Sequence, residues 1–445
     1  MGVGTMGKTK TLILGTSALV ALIASGVNAL AGSFAVREQS AWGEGSSYAG
    51  VAAGGSPSAM FWNPATMTQN GKMAVEQTAA FIFPQSSQTG HNNLPPVLGF
   101  TDDFVPNSGR DGVTFAGYTT LKLNDWLWAG FALGAPFGLT VGFQNPNWTG
   151  AFYGESSWIR TYNGTPTIAI KLTDWLSFGA GFQIQYAQTG LQFESPIPAV
   201  PLPAHQIGFL SANGWGYGWT AGVTITPTPW TKIGLGYRSA IDQKLEGTLN
   251  VQGVFATPGP INSTTKLPDT ASLGIRQGLT TQLTALGTVE WTGWKRIGTV
   301  NFLQSSGAPA LSTSGAAITL PFQYRDGWFY SAGLEYAVAP AWTLRGGVGF
   351  ERTPISDNVR TPLLPDNDRM WYSVGLTNTL MPGLAVDLAY SFIDVKGTPV
   401  NVGPGNPWFN GTVVYTGTAA TTISIISIGL KYKLNEPPPA VATRG

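Results

Sequence analysis

The sequence predicts an all-β fold: a 14-stranded antiparallel transmembrane β-barrel plugged by a small N-terminal hatch. Three observations predict it. Segments of about ten residues alternate between apolar and small or polar side chains with a period of two, as in a strand with one face in lipid. The connections between these segments alternate short and long along the chain. Finally, only 11% of the 445 residues are charged while 58 are glycine, against about 25% and about 7% in soluble domains. The outer surface is therefore not built for water.

The segment Trp215–Ile225 is the clearest. Trp215, Tyr217, Trp219, Ala221, Val223 and Ile225 share one face; Gly216, Gly218, Thr220, Gly222 and Thr224 share the other. The stretches 176–186, 342–351 and 426–434 repeat the pattern. A soluble β-sandwich also alternates, but its outward face would be rich in Lys, Glu and Thr. Short connections near 123–125, 172–174, 227–230, 278–281, 339–341 and 381–383 interleave with long ones at 85–111, 137–159, 189–213, 242–268, 296–323, 353–367 and 395–419. These joints imply strands at 73–84, 112–122, 126–136, 160–171, 175–188, 214–226, 230–241, 269–277, 282–295, 324–338, 342–352, 368–380, 384–394 and 420–434. An even strand number puts both ends on the periplasmic side, with tight turns there and long loops outside.

Composition excludes much else. No segment after the leader approaches 18 uninterrupted apolar residues, which rules out a helical membrane protein. Glycine and proline without a G-X-Y period rule out collagen, and 12% aromatic residues argue against whole-chain disorder. A net charge of +1 offers no basic field for nucleic acid. The absence of cysteine removes disulfides, thiolate zinc sites and cysteine catalysis.

Lys8 and Lys10, the apolar stretch 11–24 and the small residues of Ala29-Leu30-Ala31 read as a cleaved secretory signal, cut after Ala31. Gly2-Val3-Gly4-Thr5-Met6-Gly7 fits a dinucleotide fingerprint, but it lies in this leader and follows no strand. The expected organisation is signal peptide 1–31, hatch 32–71, barrel 72–434 and a C-terminal extension 435–445. The lumen of 14 strands is wider than its own side chains fill, and the Ala-, Gly- and Ser-rich segment 32–71 is of a size to sit there.

The residues also resemble a known family. Gly32-Ser-Phe-Ala-Val-Arg-Glu-Gln-Ser-Ala-Trp-Gly43, Ser47-Tyr-Ala-Gly50 and Phe61-Trp-Asn-Pro-Ala65 come first. Then come Ala135-Pro-Phe-Gly138, Gly216-Tyr-Gly218, Gly234-Leu-Gly-Tyr-Arg-Ser239, Leu245-Glu-Gly247 and Leu267-Pro-Asp-Thr-Ala-Ser-Leu-Gly274. Val289-Glu-Trp-Thr-Gly-Trp294, Trp342-Thr-Leu-Arg-Gly-Gly347, Pro354, Arg360-Thr-Pro362 and Leu364-Pro-Asp366 complete the set. In order and spacing it resembles the FadL family of outer-membrane long-chain fatty-acid and hydrophobic-compound transporters. The chain departs from the family at Thr66, at Gly54-Gly55, and in running past the last strand, where Tyr432 would serve as the terminal aromatic. The resemblance implies capture of hydrophobic ligands at external loops, a pocket beside the hatch, and sideways release through a gap at a kink in the third strand.

Candidate residues follow. The apolar external connections supply a ligand groove: Leu191, Phe193, Ile197, Val200, Leu202, Phe209 and Leu210, with Val254 and Phe255 of the next loop. Such an apolar patch reads as an interaction site or as loop packing over the mouth. Phe61, Asn63, Pro64 and Ala65 form the hatch motif, where Asn63 braces a turn and Pro64 fixes φ. Gly130, Gly134 and Pro136 are the candidate sources of the strand-three kink and lateral gate. Arg238, Arg276, Glu290, Glu335, Arg345, Glu351 and Asp387 fall on the lumen face and read as a structural network. Arg160 or Arg238 is the candidate partner of a ligand carboxylate.

No catalytic residues, metal site or cofactor is expected. His91 and His205 fall in loops, and no G-x-S-x-G elbow occurs. A diffusion porin would need a hydrated, charged eyelet and no plug. The expected protein is a monomer of the bacterial outer membrane. Its partners are hydrophobic small molecules, fatty acids or aromatic hydrocarbons, and membrane lipid; nucleic acid is not among them.

Overall fold

The computed structural model describes residues 33–145, 147–194, 207–251, 259–304, 306–310 and 318–434, without the side chains of 207 and 251. The expected signal peptide, the 435–445 extension, and Ile197, Val200, Leu202, Val254 and Phe255 lie outside these residues.

Fourteen antiparallel strands close into one barrel. They are β1 Met73–Asn92, β2 Gly112–Lys122, β3 Leu127–Gly134 continued by Gly138–Gly142, β4 Ser156–Lys171 and β5 Leu176–Glu194. Next come β6 Ile207–Thr228, β7 Thr231–Arg238 with Ile241–Val251, β8 Gly259–Leu267 with Thr270–Gly278, and β9 Leu283–Thr292. β10 Gly327–Ala339, β11 Trp342–Arg352, β12 Arg369–Met381, β13 Leu384–Val402 and β14 Tyr415–Leu434 complete the wall. β14 closes on β1 in unbroken register from Met73↔Leu434 to Asn92↔Tyr415. Closure of this kind removes the free edges that a sheet in hydrocarbon could not leave unpaired.

The two-residue zigzag orients the wall as expected. Phe178, Phe182, Trp215, Tyr217, Trp219, Leu235, Leu273, Val348, Tyr390 and Ile428 stay exposed on the outer face. The alternate positions Gln183, Gln185, Thr220, Ser272, Glu290, Arg345 and Asp387 are buried in the bore.

Three strands are interrupted. β3 breaks at Ala135-Pro136-Phe137, β7 at Ser239-Ala240 and β8 at Pro268-Asp269. β1, β5, β6, β13 and β14 run well beyond their predicted external ends. The β1 extension, Gln85-Ser-Ser-Gln-Thr-Gly90, is polar on both faces, as suits a segment outside the membrane. Periodicity carries no signal there.

The N-terminal segment fills the bore. It comprises one helical turn, Ala41–Glu44, capped by the Ser40 hydroxyl, and three 3-10 turns, Val51–Ala53, Pro57–Phe61 and Pro64–Gln69. It bonds to strands all around the wall. The Tyr118 hydroxyl of β2 donates to Gln39 O (2.8 Å), Gly50 N donates to Thr288 Oγ1 of β9 (2.8 Å), and Ser47 Oγ donates to Ser373 Oγ of β12 (2.8 Å).

The glycines of the inner face let the hatch backbone come this close. A Cβ on Gly234 would collide with the Ala52 carbonyl, and one on Gly236 with the Trp62 carbonyl. Charges complete the seat. Arg276 (2.6 Å) and Arg345 (2.7 Å) both clasp Glu335, and Lys431 reaches Asp387 (3.0 Å).

Gly234→Val should therefore unseat the hatch and lower the stability of the folded barrel by about 1–3 kcal/mol or more. Gly346→Val, whose added carbon meets only the Ser373 carbonyl at 4.0 Å, should be far milder. Urea midpoints in lipid bilayers and protease sensitivity of the N-terminal segment check the contrast.

Candidate functional site

An apolar chamber of 280 Å³ lies at the external end of the bore. Its walls come from Leu191 and Phe193 of β5, Leu210 of β6, Leu139 of β3, and Phe302 and Phe322 of the β9–β10 connection. Phe34 lies at its inner end, edge-on to Trp294 at 4.7 Å. Two buried phenols from the connecting loops, Tyr153 and Tyr324, also line it. Burial pushes Tyr153 up to about 12 and Tyr324 well above its usual range, as expected where water is excluded.

The β5–β6 connection differs from the expected loop. Its apolar residues belong to a paired hairpin that stands out of the membrane, with Leu191↔Leu210 and Gln192↔Phe209 in register. Strand parity then sorts them. Leu191, Phe193 and Leu210 face the chamber, whereas Phe209 is 41% exposed on the other side. Phe209, expected in the groove with the others, therefore lies on the opposite face of the hairpin from the chamber.

A smaller polar pocket of 70 Å³ adjoins the chamber on its hatch side. Gln185, Ile241 and Phe137 line it, each two residues along from chamber residues Ala187, Gln243 and Leu139. Two residues of strand advance about 7 Å, so the two spaces are stacked. Arg37, Arg238, Glu290 and Glu351 project into the lower one. Arg37 donates to Glu290 at 2.6 Å and lies 3.6 Å from Glu351. Arg238 lies over the Phe61 ring at 4.2 Å and donates to Phe61 O (3.1 Å), Asn163 Oδ1 (3.4 Å) and Gln183 Oε1.

The wall beside this pocket is incomplete. β2 and β3 pair only from Gly117↔Leu133 to Lys122↔Trp128. Beyond that, Gly112–Ala116 pair with β1, and Gly138–Gly142 pair with β4. Residues 34–36 occupy the edge that β2 leaves: Val36 N donates to Pro136 O (2.8 Å) and Gly138 N donates to Phe34 O (2.9 Å). Gln39 Nε2 adds a bond to Ala135 O (2.9 Å). Proline suits this position, since it has no N–H to leave unpaired. The bend therefore sits at Pro136. Gly130 and Gly134 are not its source: both stay in the ladder, Gly130 against Met67 and Gly134 against Gln39 of the hatch.

Asn63 is fully buried. It donates to Ala52 O (2.8 Å) and to Val223 O of β6 (2.9 Å), and accepts from Ala65 N (3.0 Å), so it braces the turn that Pro64 begins. Arg160 lies elsewhere. Ile159 faces the chamber, so the next residue points outward, and Arg160 sits 5.3 Å from the Trp158 ring, lining neither space. Sequence reasoning missed Phe34, Arg37 and Leu139 because nothing in the hatch or at the broken strand is periodic over enough residues. For the chamber wall a signal existed: Val300, Phe302, Ile318, Leu320 and Phe322 all share even parity, interrupted by a Gly- and Ser-rich tract.

The family model described as outer membrane protein transport protein (OMPP1/FadL/TodX) matches residues 20–434. The chain is similar to the long-chain fatty acid transport protein of Escherichia coli K12, at 24% identity over 91% of this chain and 98% of that protein. It is also similar to outer membrane protein P1 of Haemophilus influenzae, at 26% identity over 88% and 91%. Among solved structures, a Pseudomonas aeruginosa FadL homologue superposes with a TM-score of 0.80 at 23% identity, covering 91% of this chain and 100% of that one. The Pseudomonas putida toluene transporter TodX does so at 0.63 and 15%, covering 90% and 99%.

Leu191→Asp would place a carboxylate in the dry chamber. It should weaken binding of an apolar fluorescent probe by about tenfold or more, whereas Phe209→Asp on the opposite face of the same hairpin should leave it unchanged. Titration of the probe into purified barrel checks both.

Proposed function

The chain belongs to the OMPP1/FadL/TodX family of outer-membrane transport proteins, and from that premise we propose that it takes up hydrophobic compounds passively, long-chain fatty acids foremost. The observation that carries the reading is the position of an apolar chamber next to the place where β2 and β3 part, between Gly117↔Leu133 and the bridge Gly109↔Val141. A ligand is captured among the external hairpins and settles in the chamber between Leu191, Phe193, Leu210 and Phe302. Withdrawal of residues 34–36 from Pro136 and Gly138 then uncovers the gap between β2 and β3, and the ligand leaves sideways into lipid. The transfer needs no energy source, because each step moves an apolar molecule from one apolar surface to another.

The hatch residues Phe61, Asn63, Pro64 and Ala65 hold the plug against β5, β6 and β7 during this passage. Gly130 and Gly134 keep it close to β3. The plug also argues against a diffusion porin, since the bore beneath the chamber is filled by protein. Aromatic hydrocarbons are a second reading, favoured by the rings of Phe34, Phe152, Phe193, Phe302 and Phe322 around the chamber.

The chain has no cysteine, and Ala35 and Phe137 are bridge partners across the gap. A double variant, Ala35→Cys with Phe137→Cys, can therefore lock residues 34–36 to β3. Oxidised cells should lose most uptake of labelled palmitate and regain it on reduction. Uptake that persists with the bond formed would eliminate this exit. Comparing palmitate with toluene in cells with and without the protein separates the two substrate readings. Single-channel recordings should show almost no steady current.

A further inference from the structure

We propose that the outer wall carries a site for lipid A, the phosphorylated and multiply acylated lipid of the outer leaflet, with its acyl chains in an apolar groove across β7–β12 and its phosphates on Arg325, Arg352 and Lys295. The site faces the membrane, not the bore. It is centred on β9 and β10, half-way round the barrel from the parting of β2 and β3, and it does not depend on the uptake reading above.

The first observation is one of shape. The groove has a volume of 620 Å³ and strand parity explains it. Ile275, Gly287, Ala332 and Val348 are successive partners in one cross-strand row. The row points outward: Ile275 and Val348 are exposed, whereas Leu286 and Thr288, on either side of Gly287, are buried in the bore. Leu273, Val289, Tyr330 and Phe350 form the next outward row, and all four are exposed. Glycine and alanine in the middle of the first row leave the depression. A Cβ on Gly287 would meet only Ile275 Cγ2 (3.2 Å) and the Ser331 carbonyl (3.9 Å). The lining runs from Ile233 of β7 to Met370 of β12, which at the spacing of strands in a sheet is about 24 Å. Several acyl chains side by side fit that width better than one.

The second observation is one of charge. One row further out, Trp291, Trp328 and Arg352 are partners, and Trp328 stacks on Tyr330 at 6.0 Å. Tryptophans at this level mark the headgroup boundary. Three exposed bases stand at or just beyond it: Arg352, Arg325 and Lys295. Backbone bonds gather them. Arg325 N donates to Pro354 O (2.9 Å) and its Nε to Thr353 O (3.1 Å), beside Arg352, and Lys295 N donates to Asp326 Oδ1 (3.2 Å). Among the described residues none of these three side chains holds a carboxylate, whereas the adjacent Arg296 is committed to Asp269 (2.6 Å). Asp326 stands among them, and the cluster stays positive. Guanidinium groups match phosphate oxygens in a fork geometry. This is the external end of the strands, so the phosphates within reach are those of the outer leaflet.

The test titrates the full chain in detergent micelles with hexa-acylated bisphosphoryl lipid A, its dephosphorylated form, and phosphatidylglycerol, and counts bound lipid by native mass spectrometry. The bisphosphoryl form should bind about tenfold more tightly than either of the others. Arg325→Gln combined with Arg352→Gln should weaken it by about tenfold or more and remove the preference, in a barrel whose circular dichroism is unchanged. Lys244→Gln with Lys266→Gln, two exposed bases of β7 and β8, should leave binding as it was. Gly287→Phe, which fills the groove, should weaken both forms of lipid A. Equal binding of the phosphorylated and dephosphorylated forms, indifference to the arginine pair, or phosphatidylglycerol bound as tightly as lipid A would each overturn the proposal. So would a dimer that Gly287→Phe abolishes, since a second copy of the chain would then own the groove. Palmitate uptake is a separate readout, and its loss or persistence leaves this site untouched.

Discussion

A peptide group in hydrocarbon must find its hydrogen-bond partner within the protein, and the rest of this molecule follows from that constraint. It forces the sheet to close, which β1 and β14 accomplish over twenty paired residues. It also sets the terms on which the wall may be broken. At Ala135–Phe137 the ladder to β2 is lost, and the exposed edge is tolerable only because the backbone of residues 34–36 takes the place of the missing strand. A break in the wall and a segment of the hatch to cover it are thus one feature.

The inner face of the barrel reflects a second compromise. A lumen this wide cannot be filled by its own side chains, and the glycines of β5, β6 and β7 make room for another piece of backbone instead. The hatch gains hydrogen bonds from Tyr118, Thr288, Val223 and Ser373 in return. Charges in the lumen then serve as ties. Glu335 joins Arg276 and Arg345, and Arg37 carries the network from the hatch to β9 and β11. Such pairs contribute little net stability once their desolvation is counted, but breaking one leaves a charge stranded. They favour a single seat for the plug. Among the described residues Arg238 differs from these ties in holding no acid, bonding instead to Phe61, Asn163 and Gln183, and it lies beside the covered break.

The external end obeys different rules. Above the membrane the strands continue as hairpins whose two faces are no longer lipid and lumen. The β5–β6 hairpin turns Leu191, Phe193 and Leu210 toward the β9–β10 connection, and the apolar chamber forms between them. The same segment turns Phe209 away. A run of apolar residues that reads as one greasy patch is therefore split into two by strand parity.

The wall was legible in the amino-acid sequence. Residues such as Trp215 to Ile225 alternate because lipid and lumen alternate, and that requirement is local to each strand. The lumen positions of Glu290, Arg345 and Asp387 were readable for the same reason. Three matters were decided only by tertiary structure: the location of the bend at Pro136 instead of Gly130 or Gly134, the outward turn of Arg160, and the pairing of Phe34 and Val36 with β3. Each depends on which distant backbone arrives at a given edge, and a period of two residues carries no information about a partner a hundred positions away.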